Sequence, residues 1–303
     1  MMNLFIKRNI KKIRNNIRFY PHREKTVCLI ATMPKSGTWL CQYFFWALKQ
    51  YIKIENFHPE KCDFNKTKVG NFISFDNSSI FVGHATCPGY EYEVTDKYME
   101  KWKALNFWNP GYNWVNHEIN RKYFPKFNEQ VKILYLYREP LSQVFSYFNY
   151  CKEHQDPLHT KHATVPLIDF YTKISAIDSY IKQYHTFEYM KNKYPNNIYL
   201  MKYEDLISNP IELFSKICEF FDINSSNHLL DKNIKLALDF TSIENLKKIE
   251  QKTKKSLAND GNRNSHIQGE KYGKYSDFLD NKDFELINEN LEKLGYSLND
   301  FKI

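Results

Sequence analysis

The chain has 303 residues, of which 42% are hydrophobic and 17% are aromatic, with only 9 Gly and 11 Pro. This composition excludes a disordered chain and leaves little room for long linkers, so we expect one compactly folded domain. The formal net charge of +8 favours an anionic partner without choosing among nucleic acid, acidic lipid and a phosphorylated cofactor.

The first 24 residues form a basic segment, separate from a domain that we expect to span residues 25–303. Isoleucines recur at helical spacing in this segment and basic residues flank them, which is typical of a basic amphipathic helix. Contact of residues 1–20 with a membrane surface is one hypothesis, and a solvated helix or tail is the alternative. The isoleucines are Ile6, Ile10, Ile13 and Ile17, and the basic residues are Lys7, Lys11, Lys12, Arg14 and Arg18.

Cysteine spacing and hydropathy predict the compartment. The six cysteines, at positions 28, 41, 62, 87, 151 and 218, form no CxxC pair and no ligand spacing with histidine. Neither a zinc site nor a disulfide framework is indicated. No stretch approaches 18 apolar residues, and the N-terminus lacks the apolar core of a secretory signal. We therefore expect a cytoplasmic protein.

Strands and helices alternate along the rest of the chain. The run TVCLIAT, the breaker MPKSG and an aromatic-rich stretch predict a strand, a loop and a helix in that order. Strands are predicted at 26–32, 80–83, 131–137 and 198–203, and helices at 38–51, from Pro140, and at about 166–192, 210–221 and 284–294. This alternation predicts an α/β fold: a single three-layer α/β/α domain with helices on both faces of a central parallel sheet.

The loop after the first strand has the properties of an anion site. Pro34, Lys35, Ser36, Gly37 and Thr38 combine a helix N-terminus, free amides, a glycine and a lysine. The spacing GxxxxGK[ST] is missing, which argues against the usual loop of nucleotide kinases. A phosphate or phosphosulfate held by a tighter turn fits the residues better.

A second anion-binding element follows the strand VKILYLY. Arg138 lies at the carboxyl end of that strand, where ligands bind in open α/β sheets, and Ser146 follows eight residues later. An arginine there can bind a phosphate with two hydrogen bonds, and a serine hydroxyl can complete the site. The alternative is a structural arginine paired with Glu139 or with a helix carboxylate.

These motifs resemble those of the sulfotransferases that use 3′-phosphoadenosine 5′-phosphosulfate (PAPS). The PKSGT loop resembles that family's P-loop-like 5′-phosphosulfate loop, and the spacing from Arg138 to Ser146 is similar to its 3′-phosphate motif. FVGHATCPG, MKYEDLISNP and the Thr241-Ser242 turn are similar to further family segments. The resemblance covers roughly residues 27–279.

The resemblance implies roles for individual residues. His84 would be the catalytic base, and Lys35 would neutralise charge on the departing bridging oxygen. PAPS would be bound by Lys35, Ser36, Gly37, Thr38, Trp39, Arg138, Ser146, Tyr203 (adenine), Thr241, Gln268 and Gly269.

Three positions depart from the family pattern. Trp39 replaces a second threonine of the phosphosulfate loop, Val82 replaces a lysine two residues before the histidine, and Gln268 replaces a phosphate-binding arginine. Arg263 or Lys271 are candidate substitutes for that arginine.

The resemblance implies in-line transfer of a sulfuryl group from PAPS to a hydroxyl acceptor, with no metal. Alcohols, phenols, lipids and sugars remain open as acceptors, and the aromatic residues between 102 and 114 either line an acceptor pocket or pack over the sheet. Two alternative functions are a catalytically impaired protein that binds PAPS or its product, and a P-loop-type kinase. No nucleic-acid partner is expected, because the basic residues are dispersed and no RNP-like or helix-turn-helix signature occurs.

Overall fold

A computed structural model describes residues 25–32, 35–54, 56–59, 62, 69, 72–84, 131–153, 165–172, 176–223, 227–253, 273–293, 295 and 297. Their centre is a five-stranded sheet with the order β2-β3-β1-β4-β5. Neighbouring strands run parallel except for β2, which pairs antiparallel with β3 at one edge. The strands are β1 (Thr26–Thr32), β2 (Phe72–Ser74), β3 (Ser78–His84), β4 (Val131–Tyr137) and β5 (Ile198–Lys202).

Helices follow or connect the strands. They are α1 (Thr38–Lys53), α2 (Pro140–Glu153), α3 (Leu167–Thr172), α4 (Ala176–Lys193), α5 (Tyr203–Ser208), α6 (Pro210–Phe220), α7 (Asn227–Phe240), α8 (Ile243–Thr253) and α9 (Asn281–Glu292). A single 3-10 turn, Tyr275–Asp277, precedes α9.

Helices cover both faces of the sheet. On one face, α1, α6 and α7 pack against alternate strand residues such as Ile30, which pairs in register with Val82 and Leu134. Eight consecutive residues of α1, from 41 to 48, are buried, as expected for a helix enclosed on all sides. On the other face, the ring of Tyr135 stacks on Phe187 of α4 with centroids 4.0 Å apart. Burial of each such side chain stabilises the fold by about 1.5–3 kcal/mol.

The predicted α/β class and its two covered faces are confirmed. Strands β1 and β4 have the predicted bounds, and α2 begins at the predicted Pro140. The sequence did not predict the short antiparallel β2 or helices α5, α7 and α8. The helix predicted at 166–192 is two helices, α3 and α4, and residues 173–175 between them lie outside the described part of the chain.

Within the described residues, no helix is both long enough and apolar enough to cross a bilayer.

Candidate active site

The candidate site lies at the carboxyl edge of the sheet, where four parallel strands end. Thr32 of β1 pairs in register with His84 at the end of β3 and with Leu136 of β4. One residue further along β4, Tyr137 pairs with Lys202 of β5. The segments that leave these strands therefore start side by side, at the edge where open parallel sheets bind ligands.

The predicted catalytic histidine ends β3 at this edge. His84 pairs through its backbone with Thr32, whose hydroxyl donates to the carbonyl oxygen of Gly83 over 3.2 Å. The side chain of His84 lies outside the described part of the structure, so its role as base stays a prediction. Val82, two residues earlier, is 1% exposed and belongs to the core cluster beneath α1.

The loop between β1 and α1 contains two left-handed residues. Lys35 has φ 69° and Gly37 has φ 91°. A left-handed conformation costs a non-glycine residue roughly 1–2 kcal/mol, so the surrounding structure must hold Lys35 in place. Turns of this kind orient successive backbone amides towards one side and form anion-binding concavities.

Ser36, between those two residues, is completely buried. Its hydroxyl lies beside the hydroxyl of Tyr180, which already makes two hydrogen bonds to the backbone of Arg138. Ser36 Oγ makes no hydrogen bond of good geometry within the described residues. A buried hydroxyl without a partner is the kind of group that a bound oxyanion would satisfy.

The N-terminus of α1 adds backbone donors to the loop. The first intrahelical hydrogen bond runs from the amide of Cys41 to the carbonyl oxygen of Gly37, over 3.1 Å. The amides of the first helical turn point towards the loop, and the helix dipole favours negative charge beside them. Thr38 opens the helix, and its hydroxyl is hydrogen-bonded to that of Thr32.

Gly37 allows a close approach between this loop and Tyr203. A Cβ atom on Gly37 would lie 2.8 Å from Tyr203 Cδ2 and 3.0 Å from Leu136 Cδ2. Real Cβ atoms do not approach carbon atoms this closely, and φ at Gly37 is positive as well. Both facts require glycine at this position.

Lys35 has an unusual electrostatic environment. Burial and, to a smaller extent, the nearby Arg138 lower the pKa of its ammonium group to about 8, although Glu153 acts in the opposite direction. Lys35 Nζ also lies 5.2 Å from the ring centroid of Tyr150 on α2. Two cations placed close together favour negative charge beside them, which makes this edge of the sheet a candidate anion site.

Arg138 follows β4 directly and contacts the loop after β1. Its Nη1 donates to the carbonyl oxygen of Lys35 over 3.3 Å, and its guanidinium lies 5.3 Å from the ring centroid of Tyr203. Its Nε is 3.5 Å from Glu204 Oε1. The structure thus brings together Lys35, Arg138 and Tyr203, which the sequence placed in three separate motifs.

Two carboxylates lie near Arg138, and they make different contacts. The carboxylate of Glu139 accepts from the amides of Leu141 (3.0 Å) and Ser142 (2.7 Å) and thereby caps α2. The carboxylate partner of Arg138 is Glu204, at the start of α5. Pairing with a helix carboxylate therefore does occur, and it leaves Arg138 with donors that face the loop.

Ser146 is half-buried on α2, four residues before Tyr150. Residues four apart lie on one face of a helix, so Ser146 shares the face whose Tyr150 contacts Lys35. Its predicted part in binding a phosphate is compatible with this position.

Two other predicted contacts have local partners. The ring of Trp39 stacks on Tyr43 with centroids 6.0 Å apart. Thr241 lies between α7 and α8, and its buried hydroxyl donates to the carbonyl oxygens of Ala237 (3.0 Å) and Leu238 (3.1 Å). Any contact of Thr241 with a nucleotide would use its remaining acceptor capacity.

Several sequence-based predictions fall outside the described residues. They concern Gln268 and Gly269, the candidate substitutes Arg263 and Lys271, the aromatic stretch at 102–114, and the basic segment at 1–24.

Three residues at the site, Tyr150, Tyr180 and Glu204, were not predicted from the sequence. Glu204 directly follows Tyr203 in the segment MKYEDLISNP, and this adjacency could have indicated it. Tyr150 lies one helical turn after Ser146, which could have indicated it. Tyr180 carried no signal, because its contact with Arg138 crosses 42 residues.

The fold is similar to solved sulfotransferase structures. Mouse sulfotransferase SULT7A1 complexed with PAP has a TM-score of 0.52 at 16% identity, over 89% of this chain and 83% of that one. Retinol dehydratase in complex with androsterone and the inactive cofactor PAP has a TM-score of 0.50 at 13% identity, over 93% and 84%. Retinol dehydratase in a complex with retinol and PAP also has a TM-score of 0.50, at 16% identity, over 92% and 85%. At these identities, the similarity concerns the fold.

Sequence comparisons give the family. The chain has no significant match among curated proteins. The family model described as sulfotransferase domain matches residues 25–297, which is most of the chain. The chain therefore belongs to the sulfotransferase domain family.

Proposed function

We propose that this sulfotransferase uses PAPS as its donor and transfers the sulfuryl group to a small-molecule hydroxyl acceptor. The observation that carries the proposal is that Arg138 contacts both Lys35 and Tyr203 at the carboxyl edge of the sheet. Lys35 belongs to the loop that contains two residues with positive φ. The similar solved structures were determined with PAP, and retinol and androsterone occur in two of them.

The residues present fit the two phosphate groups of this nucleotide. The N-terminus of α1 suits the 5′-phosphosulfate, because its helix dipole favours negative charge. The buried hydroxyl of Ser36, which makes no hydrogen bond of good geometry within the described residues, lies in the same loop. Arg138 and Ser146 suit the 3′-phosphate, and Tyr203 offers an aromatic face for the adenine. Trp39, Thr241, Gln268 and Gly269 remain proposed contacts.

Bound PAPS would supply an activated sulfuryl group whose bond to the bridging oxygen breaks as the acceptor oxygen bonds to sulfur. His84 accepts the proton of the acceptor hydroxyl, as a base with an ordinary pKa of about 6.5 can do at neutral pH. Lys35 stabilises the negative charge that develops on the departing oxygen. Loss of a general base alone typically costs about 10² to 10⁴ in rate.

The acceptor is proposed to be an alcohol or a phenol, with lipid and sugar hydroxyls in the same chemical class. A cytoplasmic location with peripheral membrane contact through residues 1–20 remains part of the proposal. It is supported by the isoleucine and lysine pattern of that segment.

The first test is calorimetric titration with adenosine 3′,5′-bisphosphate, run beside ATP. We expect micromolar binding of the bisphosphate and weaker binding of ATP. Lys35→Ala and Arg138→Ala should each weaken bisphosphate binding about tenfold to hundredfold, because each removes charge-assisted hydrogen bonds worth about 1.5–3 kcal/mol. Lys232→Ala, which removes an exposed lysine of α7, is the charge-matched control and should bind normally.

A second measurement separates an enzyme from a protein that only binds the nucleotide. Transfer of labelled sulfate from PAPS to a panel of alcohols and phenols should be lost in His84→Ala, while bisphosphate affinity is kept. No bisphosphate binding by the wild-type protein would refute the proposed donor. Binding without transfer to any acceptor would favour the catalytically impaired alternative.

A further inference from the structure

The backbone of Arg138 is held by a side chain from a distant helix. Tyr180 of α4 is fully buried, and its hydroxyl accepts a hydrogen bond from the amide of Arg138 and donates one to the carbonyl oxygen of Arg138. The pairing of β4 with β5 ends one residue earlier, at Tyr137. A single hydroxyl therefore satisfies both polar backbone groups at the first residue beyond the strand, where a neighbouring strand no longer can.

The side chain of Arg138 is held by the beginning of α5. Glu204 Oε1 lies 3.5 Å from Arg138 Nε, and the two carboxylate oxygens accept from the amide of Glu139 over 3.4 and 3.3 Å. The ring of Tyr203 lies against the guanidinium, and the carbonyl oxygen of Lys35 accepts from Nη1. The guanidinium therefore has the Glu204 carboxylate beside Nε, the Lys35 carbonyl oxygen at Nη1 and the Tyr203 ring against its face.

We propose that Tyr180 and Glu204 are positioning residues that make Arg138 selective for a 3′-phosphorylated nucleotide. This inference rests on the proposed function, in which Arg138 binds the 3′-phosphate. Tyr180 fixes the point from which the side chain leaves the sheet, and Glu204 fixes the rotation of the guanidinium. A long arginine side chain is otherwise free to adopt many rotamers, and prior ordering reduces the entropy lost on binding.

Charge alone predicts the opposite effect for Glu204. A carboxylate beside an anion site repels a phosphate, so its removal would strengthen binding if Glu204 acted only through its charge. Positioning predicts weaker binding when the carboxylate is removed, and retained binding when an amide of the same shape replaces it. The two explanations therefore differ in the sign of the effect of Glu204→Ala.

The experiment measures the dissociation constants of adenosine 3′,5′-bisphosphate and adenosine 5′-monophosphate, and takes their ratio as the 3′-phosphate selectivity. Tyr180→Phe and Glu204→Ala should each lower this ratio about tenfold, towards the value of Arg138→Ala. Glu204→Gln should keep it within about threefold. In the background of Arg138→Ala, neither Tyr180→Phe nor Glu204→Ala should lower it further, because both act through the arginine.

Tyr171→Phe is the matched control for loss of a buried tyrosine hydroxyl. Tyr171 is also fully buried, and its hydroxyl donates over 2.6 Å to the carbonyl oxygen of Leu141, three residues after Arg138. It should lose stability in the same way as Tyr180→Phe while keeping the selectivity ratio. If Tyr180→Phe does not fold, the partly exposed Glu204 still allows the test through its two variants.

The positioning role would be overturned if Tyr180→Phe and Glu204→Ala kept the wild-type selectivity ratio while Arg138→Ala lost it. The proposed function would still stand in that case. Tighter bisphosphate binding by Glu204→Ala would also overturn the positioning role, in favour of charge alone. A wild-type protein without any preference for the bisphosphate would instead refute the proposed function itself.

Discussion

At the scale of single residues, Lys35 combines three unfavourable features. It has a left-handed backbone, its ammonium group is largely buried, and Arg138 lies nearby. Each feature costs free energy in the unliganded protein. A bound anion would offset the charge terms, which is the effect expected if Lys35 binds the nucleotide as proposed.

The pKa of Lys35 predicts an alkaline limit on activity. In the proposed mechanism Lys35 stabilises the leaving oxygen only when it is protonated, and its pKa is about 8 where an ordinary lysine has about 10.4. The value of kcat/KM should therefore fall as the pH rises through about 8, and it should also fall on the acid side as His84 becomes protonated. In Lys35→Arg, the residual activity should lose the alkaline limit, since arginine stays charged. An unchanged limit near pH 8 would assign it to another group.

Gly37 should be intolerant of a side chain. In Gly37→Ala the new methyl group would meet Tyr203 and Leu136 at 3.0 Å or less, in addition to the cost of a positive φ. We expect a loss of about 2–4 kcal/mol in the free energy of unfolding, together with weaker bisphosphate binding. Urea denaturation and calorimetry measure the two effects.

Gly295→Ala is the control for backbone strain alone. Gly295 has φ 82°, but a Cβ atom there meets no atom of the described residues within 4 Å. Its substitution should cost only about 1 kcal/mol. Equal losses at the two glycines would show that the contact with Tyr203 has no energetic weight.

At the scale of secondary-structure elements, α9 depends on its N-terminal cap. Asp280 accepts from the amide of Asp283 over 2.9 Å, and Asp283 accepts from the amide of Asp280 over 3.1 Å, which forms a reciprocal capping box. Two buried residues of α9, Ile287 and Leu291, contribute to the core cluster of α2, α3 and α4. The cap therefore stabilises a helix that packs in the same cluster as Tyr180, whose hydroxyl binds the backbone of Arg138.

Removal of this cap should weaken the whole domain modestly. Asp280→Ala should lower the free energy of unfolding by about 1 kcal/mol, because an exposed cap of this type is worth about 0.5–2 kcal/mol. Asp280→Asn keeps an acceptor and should lose much less. Chemical denaturation followed by circular dichroism measures the difference, and equal losses in both variants would contradict a role for the cap.

At the scale of the whole molecule, ligand binding and stability should be coupled. The loop after β1, the residue after β4 and the start of α5 meet only when the sheet is formed, so the nucleotide should bind the folded state alone. Bisphosphate at 100 times its dissociation constant should add about 2.7 kcal/mol to the free energy of unfolding. We expect the Tm to rise by several degrees.

Arg138→Ala supplies the comparison for this thermal shift. At the same ligand concentration its Tm should rise much less than that of the wild-type protein, because its binding is weaker. A wild-type Tm that does not respond to the bisphosphate, or an equal shift in the variant, would contradict the predicted coupling.

The sequence by itself determined the elements with strong local signals. Short apolar runs rich in β-branched or aromatic residues mark β1 and β4, and a proline marks the start of α2. These signals are local in the sequence, so the bounds of both strands and the start of the helix were predicted correctly. The motifs also predicted that Lys35, Arg138 and Tyr203 bind the same nucleotide, and the structure brings these three residues together. Helix α7 was missed although Ile234, Ala237 and Phe240 lie at helical spacing, whereas the three-residue β2 depends on its pairing with β3.

Only the tertiary structure decided how the motifs meet. Arg138 contacts Lys35 across 103 residues and Tyr180 across 42. No local pattern encodes such contacts, because they depend on the order of the strands and on which helix covers which face of the sheet. For the same physical reason, the sequence left open which carboxylate pairs with Arg138. In the fold the partner is Glu204, because β5, which precedes it, pairs with β4 and ends beside Arg138.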